Sequence, residues 1–248
     1  MTTFKERILS SAKKRRSKLV LALDVSGPVE GRLARAHDVL GQTKNDVAAV
    51  KLNHHLLLPY GLNGVESLVN ECRKEGIPLI ADLKLNDIES TNLDALQSLI
   101  SFKFDCLIAN PFVGREEGLG KVMVRAHEAG FGVLLLVYMS HKGARDGYAI
   151  RTDGGRHLYE LFALRAKEWG ADGVIVSAKS SDKIGEVRKI IGKRSLIFTP
   201  GIGPQGGNAS AALTSGSDFV IVGRSVTDAP NPAAAVATLR NDWSKGRL

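Results

Sequence analysis

The sequence contains little cysteine and few aromatic residues. Two of its 248 residues are cysteines, and aromatic residues make up 6% of the chain. Cys72 and Cys106 form neither a CxxC pair nor a pair with metal-ligand spacing. This excludes a disulfide framework and predicts two reduced thiols packed in or near the core. The shortage of aromatic side chains also weighs against a platform on which nucleic-acid bases stack.

Long hydrophobic runs are also missing. No window reaches the roughly 18 uninterrupted apolar residues of a membrane-spanning helix, so we predict no association with a membrane. Residues 1–7 lack the apolar stretch of a secretory signal peptide. Together with the two unpaired cysteines, these absences lead us to expect a cytoplasmic protein.

Acidic residues are outnumbered by basic ones. The chain has 34 lysines and arginines against 26 aspartates and glutamates, which gives a formal net charge of +8. That balance favours anionic ligands such as phosphorylated metabolites or nucleic acids. The densest basic segment, residues 13–18, carries no interleaved aromatic residues. We therefore interpret it as a solvated helix end and predict no nucleic-acid partner.

Eight short apolar runs alternate with longer amphipathic stretches along the chain. Their near-continuous hydrophobicity is typical of parallel strands buried on both faces. The stretches between them, such as residues 64–75, 92–101, 117–129 and 156–169, have helical periodicity. We predict an α/β protein with a TIM (β/α)8-barrel fold and a single domain over residues 1–248; a doubly wound open sheet is the alternative. The predicted strands are residues 19–24, 47–52, 77–83, 104–108, 132–138, 173–176, 196–199 and 219–222.

Two further segments flank the predicted barrel. Residues 2–17 should form an extra helix before the first strand, with Phe4, Ile8 and Leu9 on its apolar side. Such a helix could cover the amino-terminal mouth of the barrel. Residues 232–239 should form the closing helix.

Three of the predicted strands end in charged residues. The first ends at Asp24, the second ends near Lys51, and the third carries Asp82 and Lys84 at its end. Catalytic groups of TIM barrels lie at the carboxyl ends of the strands, so we expect these four side chains to neutralise one another in one network. An ion network with a purely structural role is the alternative interpretation.

Side chains alternate between the two faces of a strand, and this orders the predicted barrel interior. Asp82 and Lys84 are two residues apart and should therefore point the same way. If the charged strand ends face the interior, the small and branched residues two and four positions before Asp24 and Lys51 fill the layers below. Those residues are Val20, Ala22, Val47 and Ala49.

Two glycine-rich segments follow the last two predicted strands. Residues 200–207 read PGIGPQGG, and residues 223–226 read GRSV. TIM barrels often bind phosphate between these two loops, where glycine lets backbone N–H groups approach the anion and Arg224 can fork onto its oxygens. The first segment also matches GxGxxG. Pro204 inside the motif and the lack of a suitable acidic residue beyond it argue against a dinucleotide site.

Histidines give weaker signals. His54 and His55 are adjacent, but adjacent residues on a helix diverge and no carboxylate ligand is evident, so we predict no metal site there. Ser140 and His141 follow the fifth predicted strand without the GxSxG motif of a nucleophile elbow. We expect Ser140 to hydrogen-bond a substrate.

Residues 82–88, with the sequence DLKLNDI, resemble the DxKxxDI signature of orotidine 5′-phosphate decarboxylases. Asp24 and Lys51 stand where that family carries its ribose-binding aspartate and lysine, and Thr91 follows the signature as in many members. Residues 139–141 resemble the stretch that holds the pyrimidine. The matches occur in the family's order and cover nearly the whole chain.

The resemblance extends to the two glycine-rich loops and includes two departures. Asn53 occupies a position that is often glycine, and Asn208 one that is often acidic; we expect neither to be essential to the chemistry. The resemblance implies that the loops bind the substrate phosphate. The residues it implicates there are Pro200, Gln205, Gly206, Gly223 and Arg224.

The activity that the resemblance implies is loss of CO2 from C6 of orotidine monophosphate, which gives uridine monophosphate in pyrimidine biosynthesis. The family needs neither a cofactor nor a metal. Lys84 would stabilise the carbanion at C6 and deliver a proton to it. Asp82 would face the departing carboxylate, while Lys51 and Asp87 would complete the charge array around Lys84.

The resemblance also implies a homodimer with shared active sites. The residues that match Asp87 and Thr91 are supplied by the partner subunit in the family. Ile88 lies between them and is expected to contribute to substrate binding.

Two other functions are compatible with parts of the sequence. Sugar-phosphate decarboxylases and hexulose-phosphate synthases of the same superfamily need a metal-ligating acid after the second strand, and residues 51–55 contain none. A catalytically silent barrel that binds nucleic acid through residues 13–18 is the second rival. The intact set of Asp82, Lys84 and Asp87 argues against it.

Overall fold

The computed structural model describes residues 2–203 and 206–245. Its centre is a closed barrel of eight parallel strands, in which each strand pairs with the next and the last pairs with the first. The predicted (β/α)8 architecture is confirmed, and the open-sheet alternative is wrong. The strands are β1 (Leu19–Ala22), β2 (Ala49–Asn53), β3 (Leu79–Leu85), β4 (Cys106–Ala109), β5 (Gly132–Tyr138), β6 (Gly173–Val176), β7 (Leu196–Pro200) and β8 (Phe219–Val222).

Helices connect the strands and surround the barrel. The helices are α1 (Phe4–Arg15), α2 (Val29–Thr43), α3 (His54–Gly64), α4 (Glu66–Glu75), α5 (Glu89–Ser101), α6 (Gly120–Glu128), α7 (Ala144–Tyr148), α8 (Leu158–Glu168), α9 (Ser181–Ile191), α10 (Ala209–Thr214), α11 (Arg224–Thr227) and α12 (Pro232–Lys245). A 3₁₀ turn (Pro111–Val113) and a π-type turn (Arg115–Leu119) precede α6.

Most element boundaries agree with the sequence predictions to within a few residues. Strands β5, β6 and β8 have the predicted bounds. Helix α6 begins at Gly120, later than predicted, because Glu117 has a left-handed φ of 50° that an α-helix does not accommodate. Helix α5 begins earlier than predicted, at Glu89, and α12 continues past the predicted end to Lys245.

Alternating side chains of the strands fill the barrel interior, as predicted. Val20, Ala22 and Ala49 pack there and are at most 2% exposed. The prediction for Val47 is wrong, because β2 begins only at Ala49 and the regular alternation does not extend back to residue 47. Val47 packs in the layer between strands and helices instead. The same interior cluster also contains Ile80, Cys106, Ile108, Leu134, Leu136, Ile175, Phe198, Phe219 and Ile221.

Helix α1 closes the end of the barrel where the strands begin, which confirms the predicted extra helix. Thr3 starts it as the N-cap of a capping box. Phe4 and Ile8 are fully buried in the interior cluster, and the Phe4 ring centroid lies 6.5 Å from that of Phe198. Gly132, at the start of β5, leaves room for this ring, because a Cβ there would lie 2.4 Å from it.

Two expectations about this first segment are wrong. Leu9 is 45% exposed, because the buried stripe of α1 follows the four-residue spacing of Phe4 and Ile8. Arg15 is buried rather than solvated: its Nε donates to the Lys44 carbonyl at 2.9 Å, and its Nη2 donates to the carbonyl of Glu75 at 2.6 Å. The other basic residues of the segment are exposed, and they are Lys13, Lys14, Arg16 and Lys18.

Both cysteines are buried and unpaired, as predicted. Burial raises the pKa of the Cys72 and Cys106 thiols, so both stay protonated and unreactive at neutral pH. Within the described residues, none of the helices has the length and apolar character needed to cross a membrane.

Candidate active site

A cavity of about 220 Å³ opens among the carboxyl ends of the barrel strands. This is the end of the barrel at which TIM-barrel enzymes place their catalytic groups. Eight residues singled out in the sequence line it: Asp24, Lys51, Asp82, Lys84, Ser140, Pro200, Gly223 and Arg224. The other lining residues are Ala22, Asn53, Ile108, Leu136, Met139, Ile175, Gly201, Ile202 and Ile221.

Four charged side chains form a continuous chain of alternating sign in the cavity wall. Lys51 Nζ donates to Asp82 Oδ2 at 2.7 Å and to Asp24 Oδ1 at 3.4 Å. Lys84 Nζ donates to the other oxygen of Asp82, Oδ1, at 2.6 Å. The predicted network of these four residues is therefore confirmed, with Asp82 held between two ammonium groups.

The centre of this chain is closed to water. The side chains of Lys51 and Asp82 are 5% and 9% exposed, whereas that of Lys84 is 33% exposed. Burial alone would raise the pKa of Asp82, but Lys51 and Lys84 outweigh it and hold the pKa at about 2. Burial alone would likewise lower the pKa of Lys51, yet Asp82 and Asp24 raise it above its usual value. Asp82 and Lys51 are therefore both charged at neutral pH.

Lys84 reaches this position through an irregular backbone. Its φ is 51°, in the left-handed region, and the register between β3 and β4 shifts between Ala81 and Leu85. A non-glycine residue in that region costs roughly 1–3 kcal/mol, which the surrounding structure must offset. The predicted proximity of Asp82 and Lys84 is correct, but regular strand alternation is not the whole reason for it. Of the two lysines in the network, the strained one is therefore Lys84, whose side chain is partly exposed at the cavity.

Asn53 is a cavity residue to which we assigned no essential role from the sequence. Its Nδ2 donates to Asp24 Oδ1 at 2.6 Å, and its Oδ1 accepts from the backbone N–H of His55 at 2.9 Å, capping α3. Asn53 therefore orients one oxygen of Asp24 from the end of β2. A signal was present in the sequence, since Asn53 lies two residues after Lys51 and alternation places both on one face.

Much of the remaining cavity wall is apolar. Ile108, Leu136, Ile175 and Ile221 extend into it from β4, β5, β6 and β8, and Met139 follows β5. An apolar wall beside a few convergent polar groups is the usual composition of a small-molecule site. It suits the face of a planar ring that carries polar atoms only at its edge.

The loops after β7 and β8 complete the cavity. Pro200, Gly223 and Arg224 line it as the sequence predicted, and Arg224 is exposed at the first position of α11. Gly223 allows a close approach between loops, because a Cβ there would lie 3.2 Å from Asp24 Oδ2. The cationic end of the cavity thus adjoins the carboxylate after β1.

The turn after β7 depends on glycine. Gly201, Gly203 and Gly206 have φ of 96°, 81° and 86°, which other residues rarely adopt. Gly206 does not line the cavity; its N–H donates to the Gly203 carbonyl at 2.7 Å. Gln205 lies outside the described residues, so its role in substrate binding stays a prediction.

The remaining predicted site residues lie outside this cavity. Asp87, Ile88 and Thr91 are exposed around the start of α5. Asp87 Oδ1 accepts from the N–H of Ile88 at 2.7 Å, and the buried Asn92 donates through Nδ2 to the Asp87 carbonyl at 2.5 Å. In a single chain the charge network therefore does not include Asp87.

Comparison with known proteins identifies the family. The sequence model of the orotidine 5′-phosphate decarboxylase / HUMPS family matches residues 17–239. The chain belongs to this family. The predicted resemblance is thereby confirmed.

Curated members of the orotidine 5′-phosphate decarboxylase family align over most of the chain. The orotidine 5′-phosphate decarboxylase of Pyrococcus abyssi is 34% identical over 224 residues, which cover 90% of this chain and 98% of the relative. That of Thermococcus kodakarensis is 36% identical over 229 residues, covering 90% and 95%. The match to the family model, residues 17–239, includes both the charged strand ends and the glycine-rich loops.

Solved structures of similar proteins share the fold. Orotidine 5′-phosphate decarboxylase of Pyrococcus horikoshii superposes with a TM-score of 0.74 and 31% identity, covering 91% of this chain and 99% of that one. UMP synthase of Leishmania donovani superposes with a TM-score of 0.86 and 27% identity, covering 100% of this chain and 57% of that one. The barrel and its connecting helices are thus typical of the family.

Candidate metal ligands do not converge in the described part of the chain. It contains no group of three or more histidine, cysteine, aspartate or glutamate side chains placed to hold an ion. His54 and His55 are exposed at the start of α3, and His55 Nδ1 lies 2.7 Å from Asn53 Oδ1. The pair thus belongs to the cap of α3.

Proposed function

We propose that this protein is an orotidine 5′-phosphate decarboxylase that forms uridine 5′-phosphate and CO2 without a cofactor. The observation that carries the proposal is the pair of Lys84 and Asp82, 2.6 Å apart in the wall of a cavity that also holds Arg224 and the glycine-rich loops. Relatives of that name cover most of the chain, which supports the same reaction.

The chemical step is the breaking of the bond between C6 and the carboxylate carbon. The electron pair stays on C6 as CO2 leaves, and Lys84 Nζ then donates a proton that forms the new C6–H bond. The ammonium group stabilises the developing carbanion before it transfers the proton. Lys84 regains a proton from solvent, to which its side chain is 33% open.

Asp82 would face the substrate carboxylate. Two like charges about 4 Å apart repel by roughly 4 kcal/mol at an effective dielectric near 20, and the departure of CO2 relieves that repulsion. The effect requires an ionised Asp82, which its pKa of about 2 supports at neutral pH. Lys51, which bridges Asp82 and Asp24, would keep the array fixed as the substrate charge changes.

The other cavity residues would bind the substrate away from C6. Asp24 and Lys51 would contact the ribose, and Ser140 and the apolar wall would hold the pyrimidine. The loops after β7 and β8 would bind the phosphate; this proposal assigns Pro200, Gln205, Gly206, Gly223 and Arg224 to it. Binding energy from the remote phosphate can hold C6 against Lys84 and thereby raise the chemical rate.

A homodimer would complete each site. Asp87, Ile88 and Thr91 are exposed on the rim beside the cavity and would act in the partner's site. Leu58 and Phe112, which follow the neighbouring strands β2 and β4, are 75% and 64% exposed, and Ile88 after β3 is 62% exposed. Large exposed apolar side chains on three neighbouring strand-to-helix connections or their helices are typical of a protein–protein interface.

A cytoplasmic location accompanies this function. The unpaired, buried thiols of Cys72 and Cys106 are compatible with a reducing compartment. A phosphorylated nucleotide substrate is likewise an intracellular metabolite.

The proposal is tested by a spectrophotometric assay of the purified protein with orotidine 5′-phosphate, with EDTA in one series and Mg²⁺ in another. We expect turnover at the same rate in both series. Absence of turnover by folded protein would refute the assignment. Strict dependence on Mg²⁺ would favour the metal-dependent sugar-phosphate decarboxylases of the same superfamily.

A further inference from the structure

The short helix that carries Arg224 is held at its far end by an arginine outside the cavity. Arg35, on α2, donates through Nη2 to the carbonyls of Thr227 at 3.0 Å and Ala229 at 2.7 Å. Its Nε donates to the Thr227 carbonyl at 3.2 Å. One guanidinium group therefore binds two backbone carbonyls at the end of α11.

Helix α11 is short, and besides Arg35 it is held by Val226, which is buried in the layer between strands and helices. It contains four residues, about 6 Å of helix at 1.5 Å per residue, so Arg224 lies about one turn from the carbonyls that Arg35 holds. The last carbonyls of a helix have no partner within the helix, and a cation there is favourable. Asp38 accepts from Arg35 Nη1 at 2.5 Å, which fixes the guanidinium plane.

We propose that Arg35 is a positioning residue for the phosphate end of the active site. It sets the orientation of α11 and thereby the place of Arg224, without contacting the substrate itself. The inference rests on the proposed function, in which Arg224 binds the substrate phosphate. Because Arg35 positions Arg224 in this way, it contributes to the preference of the site for a nucleotide over the corresponding nucleoside.

The position of Arg35 in the barrel explains how it can do this. Helix α2 follows β1, whose C-terminal loop holds Asp24, and β1 pairs directly with β8, which leads into α11. Gly223 already brings the two loops into contact at Asp24 Oδ2. Arg35 connects α2 to the end of α11 on the outer side of this contact. It thereby fixes the distance between Asp24, which would bind the ribose, and Arg224, which would bind the phosphate.

Arg188 provides a matched control. Its guanidinium also binds backbone carbonyls, donating to Gly216 at 2.8 and 3.1 Å, to Ser195 at 3.0 Å and to Gly192 at 2.6 Å. It pairs with Asp218 as Arg35 pairs with Asp38. These carbonyls precede β7 and β8, at the opposite end of the barrel from the cavity.

The experiment measures the dissociation constants of uridine and uridine 5′-phosphate by calorimetry for the full-length wild type, R35K, R35Q and R188K. The ratio of the two constants reports the contribution of the phosphate alone. A lysine keeps the charge but has no planar fork, so it cannot hold both carbonyls in the same geometry. We expect the ratio to fall about tenfold in R35K and R35Q, as small misplacements of binding groups do. It should stay unchanged in R188K even if the thermal midpoint falls.

The outcomes separate the two proposals. An unchanged ratio in both folded Arg35 variants, with a large wild-type ratio, would overturn the role of Arg35 and leave the proposed function intact. An equal fall in R188K would overturn it too, because general loosening would then explain the effect. A wild type that neither decarboxylates orotidine 5′-phosphate nor prefers the nucleotide would remove both proposals. Circular dichroism establishes that each variant is folded.

Discussion

At the scale of single residues, the site depends on charges that are kept ionised where water is largely excluded. Asp82 is 7% exposed and would be costly to bury alone, but it accepts from two lysines. Removing one member of such a set leaves an uncompensated charge, so we expect substitutions here to affect both stability and catalysis. Measuring the free energy of unfolding against pH isolates the effect of these charges on stability from their effect on catalysis.

The pKa of Asp82 predicts a specific acid sensitivity. Because the folded-state pKa of about 2 is below the ordinary value of 3.8, the ionised form stabilises the fold above the ordinary value. That stabilisation is lost as the pH falls from 3.8 toward 2. In denaturant unfolding at a series of pH values, the wild type should therefore lose stability more steeply over this range than Asp82→Asn.

The control for this prediction is Glu128→Gln, which alters an exposed carboxylate paired with Arg125. Its stability should follow the wild-type pH dependence. If the curves of Asp82→Asn and the wild type are parallel over the acid range, the lowered pKa of Asp82 is contradicted.

Asn53 provides a second prediction at this scale. Asn53→Ala removes the hydrogen bond to Asp24, and hydrogen bonds to charged groups contribute roughly 1.5–3 kcal/mol, so the KM for orotidine 5′-phosphate should rise about tenfold or more. The turnover number should change less, because Asp24 is remote from C6. Steady-state kinetics provide both numbers.

Asn231→Ala is the matched control for the loss of a helix cap. Asn231 Oδ1 accepts from the N–H of Ala234 at 2.9 Å at the start of α12, as Asn53 Oδ1 does from His55. Its replacement should cost about 1 kcal/mol of stability without a change in KM. Equal KM values for Asn53→Ala and the wild type would show that Asn53 does not orient Asp24 for binding.

Much of the charge network was predictable from the sequence, but its exact geometry was not. Asp24, Lys51 and Asp82 lie in or just after the carboxyl-terminal parts of three parallel strands, and the carboxyl ends of such strands meet by topology alone. The left-handed φ of Lys84 was not predictable, because no local pattern marks a lysine for that conformation. The contact of Asn53 with Asp24 was not predicted, although Asn53 lies two residues after Lys51.

At the scale of secondary structure, the elements follow from periodicity except where packing intervenes. Strands β5, β6 and β8 have the predicted bounds because each is a short apolar run with a clear boundary at both ends. Arg15 is buried because the end of α1 is covered by the carboxyl ends of α2 and α4, where Lys44 and Glu75 lie, and charge density alone does not reveal such contacts.

The contact between α1 and the barrel predicts a coupling between Gly132 and Phe4. Gly132→Ala places a methyl group against the ring and should cost about 1–3 kcal/mol of stability through overpacking. Phe4→Ala should cost about 3–5 kcal/mol through the cavity it leaves. Denaturant unfolding of both single variants and the double variant measures the coupling.

The double variant should be more stable than the sum of the two single effects indicates, because the alanine methyl group then meets no ring. Strict additivity would contradict the packing of Phe4 against Gly132. Turnover should survive in all three variants, since this contact lies at the end of the barrel opposite the cavity.

At the scale of the whole molecule, the fold was predictable because eight strand runs in this length leave few alternatives. For the assembly, the structure of one chain shows that Asp87, Ile88 and Thr91 lie outside its own cavity. Shared active sites make a prediction that separate sites do not. Two inactive variants should restore activity when they form mixed dimers.

The variants for this test are Lys84→Ala and Asp87→Ala. In a mixed dimer one site combines both substitutions and the other combines neither. Random mixing of subunits then gives about one quarter of wild-type activity, since half of the dimers are mixed and each has one intact site. No recovery after unfolding and refolding the mixture, with wild-type recovery as the control, would contradict shared sites.

In the proposed reaction, Lys84 stabilises the carbanion at C6 and protonates it. The most direct test is the turnover number of Lys84→Ala with orotidine 5′-phosphate, measured beside the wild type and the exposed-surface control Lys13→Ala. We expect a fall of more than about 10³-fold for Lys84→Ala, with uridine 5′-phosphate still bound and with full activity in the control. A folded Lys84→Ala that turns over within tenfold of the wild type would contradict it.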